Sequence, residues 1–181
     1  MRVLVVRNPG AGEFYQKMLT YLRQRHYQIT EVKWDTPLPL RRVSFDAMVL
    51  TGSDARIHND PEVYQANVRW VNTLARVPTL GVCFGAQCMW RALGGRICFR
   101  HFRREREWLK GVGLVQVAFT DTMVHCQDMQ THTKLYTFGN SLRGFRVGRR
   151  TGVLFHPEAS SDGHVWLDQW FASLPPTITT Q

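Results

Sequence analysis

Apolar and polar positions follow the periods of strands and helices in turn over the first half of the chain. Residues 2–6 form a short apolar run, which is typical of a strand buried on both faces. Residues 13–26 follow a break at "NPGAG" and have the spacing of an amphipathic helix. One stripe of this predicted helix contains Phe14, Met18, Tyr21 and Leu22. The first two predicted elements are therefore a buried strand and a helix.

Further strands and helices alternate up to residue 95. Strand-like runs lie at residues 28–34, 45–52 and 79–83. A helix is predicted over 60–76, with Asp60 as its N-cap, Pro61 at its first helical position, and valines that can face a sheet. The next helix is predicted over 86–93 and ends at two glycines.

Beyond residue 95 the pattern changes to shorter strand-like pieces. They lie at residues 95–99, 113–119, 134–140, 144–147 and 151–155, and an amphipathic helix is expected over 163–174. Alternating strands and helices with short connections are typical of a parallel sheet covered by helices. We therefore predict a single α/β domain over residues 1–181. Its sheet is open, mostly parallel and flavodoxin-like, with helices on both faces and some antiparallel strands in the C-terminal half.

The charge balance adds a basic surface to this picture. Lys and Arg number 23 against 14 Asp and Glu, which gives a formal net charge of +9. Basic residues concentrate at 96–110 and 143–150, where they could attract nucleic acid, an acidic protein or an anionic substrate, or could only be solvated. No helix-turn-helix, zinc-finger or single-strand-binding motif accompanies them, so the charge alone does not identify a nucleic-acid partner.

The cysteines and the apolar runs indicate a compartment. The chain has four cysteines, Cys83, Cys88, Cys98 and Cys126, without a C-x-x-C pair or the ligand spacing of a metal site. The apolar run at residues 2–6 is too short for a signal peptide, and no later stretch could span a bilayer. We therefore expect a cytoplasmic protein with free thiols, no membrane association, and neither a metal nor a cofactor.

Cys83 stands between a predicted strand and a predicted helix, in the sequence "GVCFG". A nucleophile with a glycine two residues before and two after it is the pattern of a nucleophile elbow, in which Gly81 and Gly85 permit a sharp turn. The amino end of the following helix would direct N–H groups and a positive dipole at the sulfur. Cys83 is therefore either a buried structural cysteine in a tight turn or a nucleophile, and its place at a strand's carboxyl end favours the nucleophile.

His156 and Glu158 supply the groups that such a nucleophile needs. A predicted strand runs into "HPE", so His156 also stands at a strand end, and Pro157 keeps the backbone before it extended. Glu158 follows two residues later and can turn back towards the imidazole. A nucleophile requires a base, and the base requires an orienting group. The combination predicts a Cys-His-Glu triad.

These motifs resemble the signatures of the class I, triad-type glutamine amidotransferases. The stretch 78–95 is similar to the nucleophile signature and 152–158 to the histidine signature. The stretch 49–63, "VLTGSDARIHNDPEV", is similar to the loop that forms part of the oxyanion hole in this family, above all in the GMP synthase glutaminase and γ-glutamyl peptidase relatives. The resemblance covers roughly residues 46–95 and 151–160.

The resemblance implies a role for each matching residue. Cys83 would be the nucleophile, His156 the general base and acid, and Glu158 the orienting carboxylate. The backbone N–H groups of Gly52 and Phe84 would form the oxyanion hole.

Substrate-binding residues are also implied by the resemblance. Gln87, four positions after the cysteine, would contact the substrate, as would Ser53 in the oxyanion loop. The family's S-H-x-D turn corresponds to "TMVHCQDMQTH", with His125 and Asp128 as candidates. When the turn is aligned on Asp128, Cys126 takes the place of the histidine, and when it is aligned on His125, one extra residue precedes the aspartate. Gly52-Ser53-Asp54 stands where many relatives have Gly-Gly-Pro.

The resemblance implies a glutaminase that hydrolyses the glutamine side-chain amide through a γ-glutamyl thioester on Cys83. A domain of this size has no room to activate an acceptor, so we expect it to supply ammonia to a separate synthetase. A γ-glutamyl hydrolase or peptidase with the same triad is the alternative enzyme. A non-catalytic basic module that binds nucleic acid or regulates a partner is the alternative of another class.

Overall fold

Ten strands and four helices make up the described part of the chain, which in this computed structural model comprises residues 1–37, 44–124, 134–138 and 141–175. The strands are β1 (Arg2–Arg7), β2 (Gln28–Lys33), β3 (Ala47–Leu50), β4 (Thr79–Val82), β5 (Arg96–Leu109), β6 (Gly113–Val124), β7 (Lys134–Phe138), β8 (Ser141–Val147), β9 (Arg150–Val153) and β10 (Phe155–His156). The helices are α1 (Gly12–Gln24), α2 (Pro61–Thr73), α3 (Phe84–Ala92) and α4 (Ser161–Ala172), with a short 3-10 helix at Pro157–Ala159. The predicted order of the first seven elements is confirmed.

The sheet has a parallel half and an antiparallel half. Strands β2, β1, β3, β4 and β9 lie side by side in that order and run parallel. Beyond β9 the sheet continues with β8, β6 and β10, and β5 pairs with β6 and β7 with β8, all antiparallel. The predicted α/β class, with antiparallel strands in the C-terminal half, is confirmed. The carboxyl ends of the parallel strands meet at one edge, where a ligand site is expected.

Helices cover both faces of the parallel half. They bury β1, which is apolar on both of its faces. Val3 and Val5 pack in a cluster with the apolar residues of α1 and α4. Leu4 and Val6 point to the opposite face and pack with α2 and α3. All four side chains are fully buried. The apolar run of β1 therefore places it in the centre of a three-layer arrangement, as predicted.

The hairpin of β5 and β6 corrects the prediction of short strands at 95–99 and 113–119. These strands are 14 and 12 residues long and pair along most of their length. The alternation is hidden in the sequence because Glu107 is buried while its neighbour Trp108 is 68% exposed. Glu107 accepts two hydrogen bonds from the guanidinium of Arg143 on β8, at 2.6 and 2.7 Å. A buried ion pair therefore occupies an inward position where an apolar side chain is normally found.

The predicted strand 151–155 is divided into two strands with different partners. Val153, the last residue of β9, pairs with Val82 of β4, whereas Phe155 of β10 pairs with Val117 of β6. Between them, the N–H of Leu154 donates to the carbonyl oxygen of Arg143 at 2.8 Å. The chain thus crosses from the parallel to the antiparallel half immediately before His156.

Asp60 precedes α2, and Pro61 is the first residue of that helix, as predicted. The side chain of Asp60 does not cap the helix, however. Its Oδ2 accepts a hydrogen bond from the N–H of Arg56 at 2.7 Å. The carboxylate therefore stabilises the loop before the helix, and the loop is the one that contains the candidate oxyanion residue Gly52.

Three cysteines of the described residues, Cys83, Cys88 and Cys98, are free thiols, while Cys126 lies outside this part of the chain. Cys88 is fully buried in a cluster with Ile57, Val63 and Phe84, and burial raises the pKa of its thiol. It is a core residue. In the same described part of the chain, no helix is long and apolar enough to cross a membrane.

Candidate active site

Cys83 forms the turn between β4 and α3 and has a strained backbone conformation. Its φ is 51° and its ψ −108°, a combination that residues other than glycine rarely adopt. The two flanking glycines are not required for the predicted sharp turn, because neither has a positive φ. A Cβ at Gly85 would lie 2.5 Å from the carbonyl oxygen of Leu50, and one at Gly81 would lie 2.7 Å from the N atom of Ala86. The glycines thus allow α3 to pack closely on β3 and β4, whereas the strained backbone conformation is that of Cys83 itself.

The sulfur of Cys83 points towards β6 at the amino end of α3. Its thiol donates a hydrogen bond to the carbonyl oxygen of Ala118 at 3.2 Å, and its N–H donates to Val153 at 2.8 Å. The side chain is nearly buried but lines a cavity. Because the first turn of a helix presents unpaired N–H groups, this position stabilises negative charge.

His156 lies beside Cys83 and Glu158 lies beside His156, and both residues are buried. Nδ1 of His156 is 2.8 Å from Oε1 of Glu158. Burial lowers the pKa of His156, but the negative charge of Glu158 and hydrogen bonds with Cys83 and Glu158 raise it, and the balance is a pKa of about 10. At neutral pH the imidazole is therefore protonated, and its positive charge lies beside the sulfur. The three side chains of the predicted triad are brought together in one contiguous arrangement.

Phe14 contacts this arrangement and was not predicted to do so. The sequence stripe grouped it with Met18, Tyr21 and Leu22, which are buried against the sheet. Phe14 is instead only partly buried, at the start of α1, and its ring is stacked on the imidazole of His156, with centroids 3.7 Å apart and planes 16° apart. Phe14 shares the stripe of these residues, but it lies in the first turn of α1, which lines the cavity.

Gly52 borders both reactive side chains. A Cβ built on it would lie 3.2 Å from Cε1 of His156 and 3.5 Å from Cβ of Cys83. Phe84 is the first residue of α3, so its N–H has no acceptor within the helix. Gly52 lies two residues after the end of β3, and Phe84 follows Cys83, the residue after β4, which places both backbones at the carboxyl edge of the sheet.

Gln87 and Ser53 line the same cavity. Nε2 of Gln87 donates to the carbonyl oxygen of Asp121 at 2.9 Å, which makes Oε1 the atom that could accept a hydrogen bond from a ligand. The hydroxyl of Ser53 donates to the carbonyl oxygen of Pro9 at 2.5 Å and accepts from the N–H of Ala55 at 3.0 Å. Ser53 therefore fastens the oxyanion loop to the loop after β1. The predicted residues His125 and Asp128 lie outside the described residues.

The cavity has a volume of about 530 Å³ and a charged rim. Its lining includes Cys83 and His156 together with the charged residues Glu13, Asp54, Arg56 and Arg104. Arg104 of β5 forms an ion pair with Glu13 of α1, which joins the two sides of the opening. Sequence reasoning missed these rim residues. The glycine-rich break "NPGAG" after β1 was a usable signal, because it stands at the carboxyl end of a parallel strand.

Comparison with known families identifies a match over most of the chain. The family model described as glutamine amidotransferase class-I matches residues 11–172, a range that includes every candidate residue described above. A search of curated proteins found no match.

Solved structures of similar fold include proteins that bear amidotransferase names. A protein assigned as a GMP synthase subunit from Thermoplasma acidophilum superposes with a TM-score of 0.80 and 18% identity, covering 95% of this chain and 92% of that one. A glutamine amidotransferase from Thermotoga maritima superposes with a TM-score of 0.67 and 18% identity, and the match covers 94% of this chain and 82% of that one. PurLQS from Thermotoga maritima superposes with a TM-score of 0.68 and 15% identity, and the match covers 92% of this chain and 95% of that one. At identities this low the likeness establishes the fold.

Proposed function

The chain belongs to the class-I glutamine amidotransferase family, and we propose that it is a glutaminase that uses Cys83 as nucleophile, His156 as general acid and base, and Glu158 as the orienting carboxylate. The observation that supports these roles is that Glu158 lies 2.8 Å from Nδ1 of His156 while the same imidazole is close enough to Cys83 for the two groups to interact electrostatically. The nucleophile, the base and the orienting group are thus spatial neighbours in that order.

The first chemical step is attack on the side-chain carboxamide carbon of glutamine by the thiolate of Cys83, whose proton has passed to His156. The carbonyl oxygen becomes an oxyanion, for which the N–H groups of Gly52 and Phe84 are the proposed donors. Each such donor contributes about 2.7–4 kcal/mol to lowering the barrier. The protonated His156 then gives its proton to the leaving nitrogen, and ammonia departs.

The second step hydrolyses the γ-glutamyl thioester that remains on Cys83. Neutral His156 takes a proton from water, the resulting hydroxide attacks the thioester carbon, and the sulfur leaves. Glutamine and water are thereby converted to glutamate and ammonia. Glu158 keeps the imidazole in the tautomer and orientation that both steps need.

Gln87 is the proposed contact for the amino-acid end of the substrate. Since its Nε2 is held by the carbonyl oxygen of Asp121, its Oε1 is the free acceptor for an ammonium group. His125 and Asp128 remain further proposals from the family resemblance, and Ser53 is proposed to act by fixing the oxyanion loop.

We further propose that the ammonia is used by a separate synthetase, in the cytoplasm, where free thiols such as those of Cys83 and Cys98 stay reduced. Two structural relatives are named as PurLQS and as part of a GMP synthase, which supports a synthetase as the partner. The exposed basic side chains Arg104, Arg106 and Lys110 on the β5–β6 hairpin are the proposed docking region.

A γ-glutamyl hydrolase is the second candidate, and the cavity favours it specifically. Its volume of about 530 Å³ exceeds what glutamine alone requires, and Arg56 and Arg104 line it. A guanidinium could bind the terminal carboxylate of a γ-glutamyl dipeptide.

One assay distinguishes these functions. The protein is incubated with glutamine and, separately, with γ-glutamyl dipeptides, and ammonia or the released amino acid is measured together with glutamate. We expect turnover that is lost in Cys83→Ala and kept in Cys88→Ala, and capture of the thioester by hydroxylamine as γ-glutamyl hydroxamate. Turnover unaffected by Cys83→Ala would refute the mechanism.

A further inference from the structure

The imidazole of His156 is fixed along its edge by three contacts. Nδ1 faces Glu158 at 2.8 Å, the side chain of Cys83 lies close enough to raise the pKa of the ring, and Cε1 lies against the backbone of Gly52. A hydrogen bond to a ring nitrogen, such as that between Nδ1 and Glu158, lies near the ring plane. Such a bond sets where the nitrogen points, but it resists rotation of the ring out of that plane only weakly.

The face of the imidazole is covered by Phe14. The two rings are nearly parallel, with an interplanar angle of 16° and a centroid separation of 3.7 Å. An aromatic face against a protonated imidazole combines dispersion with attraction between the cation and the ring quadrupole. This contact resists the out-of-plane rotation that the edge contacts leave open.

The Phe14 ring is itself held by charged neighbours. Nζ of Lys17 lies 5.3 Å and the guanidinium carbon of Arg104 5.7 Å from its centroid. Glu13, the residue before Phe14, forms ion pairs with both cations. Since the cations come from α1 and β5, the ring is held from two separate elements.

We propose that Phe14 is a positioning residue that acts through His156, by stacking on the imidazole and keeping its plane aligned between Glu158 and Cys83. This inference rests on the proposed role of His156. Phe14 itself supplies no proton and no charge. Its loss should therefore slow the chemical steps and leave substrate binding nearly unchanged.

Kinetics of three variants test this role. Phe14→Leu keeps apolar bulk but removes the planar ring, and we expect kcat to fall about two- to tenfold with KM changed less than about twofold. Phe14→Tyr keeps the stack and should retain wild-type kcat. Phe45→Leu makes the same chemical change in a buried core position away from the site, and it should lower stability without lowering kcat.

A spectroscopic measurement tests the positioning without turnover. The proton between Nδ1 of His156 and Glu158 should give a downfield proton resonance in the wild type and in Phe14→Tyr. We expect this resonance to be weakened or broadened in Phe14→Leu and unchanged in Phe45→Leu.

The possible results separate two failures. If the wild type hydrolyses neither glutamine nor γ-glutamyl dipeptides, the proposed function fails and the resonance alone decides the role of Phe14. A Phe14→Leu variant with wild-type resonance and, where turnover exists, wild-type kcat would overturn the positioning role. Equal losses in Phe14→Tyr and Phe14→Leu, or in Phe45→Leu and Phe14→Leu, would overturn it as well.

Discussion

The backbone of Gly52 lies against His156 so closely that a Cβ at residue 52 would stand 3.2 Å from Cε1 of the imidazole. The same atom would be 3.5 Å from Cβ of Cys83. A glycine is therefore needed here because of what lies beside it, and its φ is not in the left-handed region.

Gly52→Ala should reduce activity far more than stability. The added methyl group would push the imidazole away from Cys83 and disturb the proposed oxyanion donor, so we expect kcat to fall by about 10²-fold, the scale of losing one such donor. Gly85→Ala is the matched control, because its Cβ would meet the backbone of Leu50 at 2.5 Å and should mainly lower the unfolding free energy. Steady-state kinetics and urea denaturation measure the two effects. Equal kinetic losses in both variants would contradict the assignment.

Glu158→Gln should lower the pKa of His156 and with it the activity. Burial alone lowers this pKa, and the charge of Glu158 is the first of the influences that raise it to about 10. With a neutral amide in its place, the charge that raises the pKa of His156 is gone and burial still lowers it, so the imidazole loses its proton at lower pH. A nitrogen-15 NMR titration of the His156 ring measures the shift, and we expect kcat to fall by about 10²- to 10⁴-fold. An unchanged titration would contradict the origin given for the raised pKa.

The stability of the protein should depend on pH through His156. Its pKa is about 10 in the folded protein and 6.5 ordinarily, so the folded state binds the proton more tightly. The resulting stabilisation is fully present below pH 6.5 and is lost as the pH rises through about 10. Urea denaturation between pH 6 and 10 should show a decline in the wild type that is much smaller in His156→Gln. Parallel curves for the two proteins would exclude this linkage.

Breaking the buried ion pair of Arg143 and Glu107 should destabilise the antiparallel half. Either Arg143→Met or Glu107→Gln leaves a buried group without its charged partner, and such losses amount to about 3–5 kcal/mol. The double variant should lose clearly less than the sum of the two single losses, because the second change removes the orphaned charge. Chemical denaturation of all four proteins completes the cycle. Additive losses would show that the two side chains are energetically independent.

Sequence reasoning predicted the parallel half of the fold well, because its signals are local. The run at 2–6 is apolar on both faces, and the elbow around Cys83 has a fixed spacing of glycines. The antiparallel half was predicted less well. Its long strands depend on pairing between residues far apart in the chain, and the burial of Glu107 is explained only by Arg143, 36 residues later.

The candidate site shows the same division between local and distant information. Cys83, His156 and Glu158 stand in recognisable motifs, so their residue types and strand-end positions were sufficient to nominate them. Phe14 and Arg104 belong to no motif and reach the cavity only because α1 and β5 meet there. A helical stripe describes which residues share a face, but it does not say where the sheet beneath that face ends.

The backbone strain at Cys83 can be measured with two substitutions that both remove the thiol. Glycine tolerates a φ of 51°, whereas alanine does not, and a conformation of this kind costs about 1–3 kcal/mol. We therefore expect Cys83→Gly to be more stable than Cys83→Ala, even though glycine loses more chain entropy on folding. Thermal unfolding of both inactive proteins measures the difference, and a less stable glycine variant would show that the turn is unstrained.

The strained turn also bears on how this sequence could change over generations. A copy released from its reaction would gain stability from a single replacement by glycine at residue 83, so random drift would tend to remove the cysteine. Cys83 thus carries a reactive thiol at a backbone position where a side chain lowers stability, and reactivity is the property that glycine could not supply there.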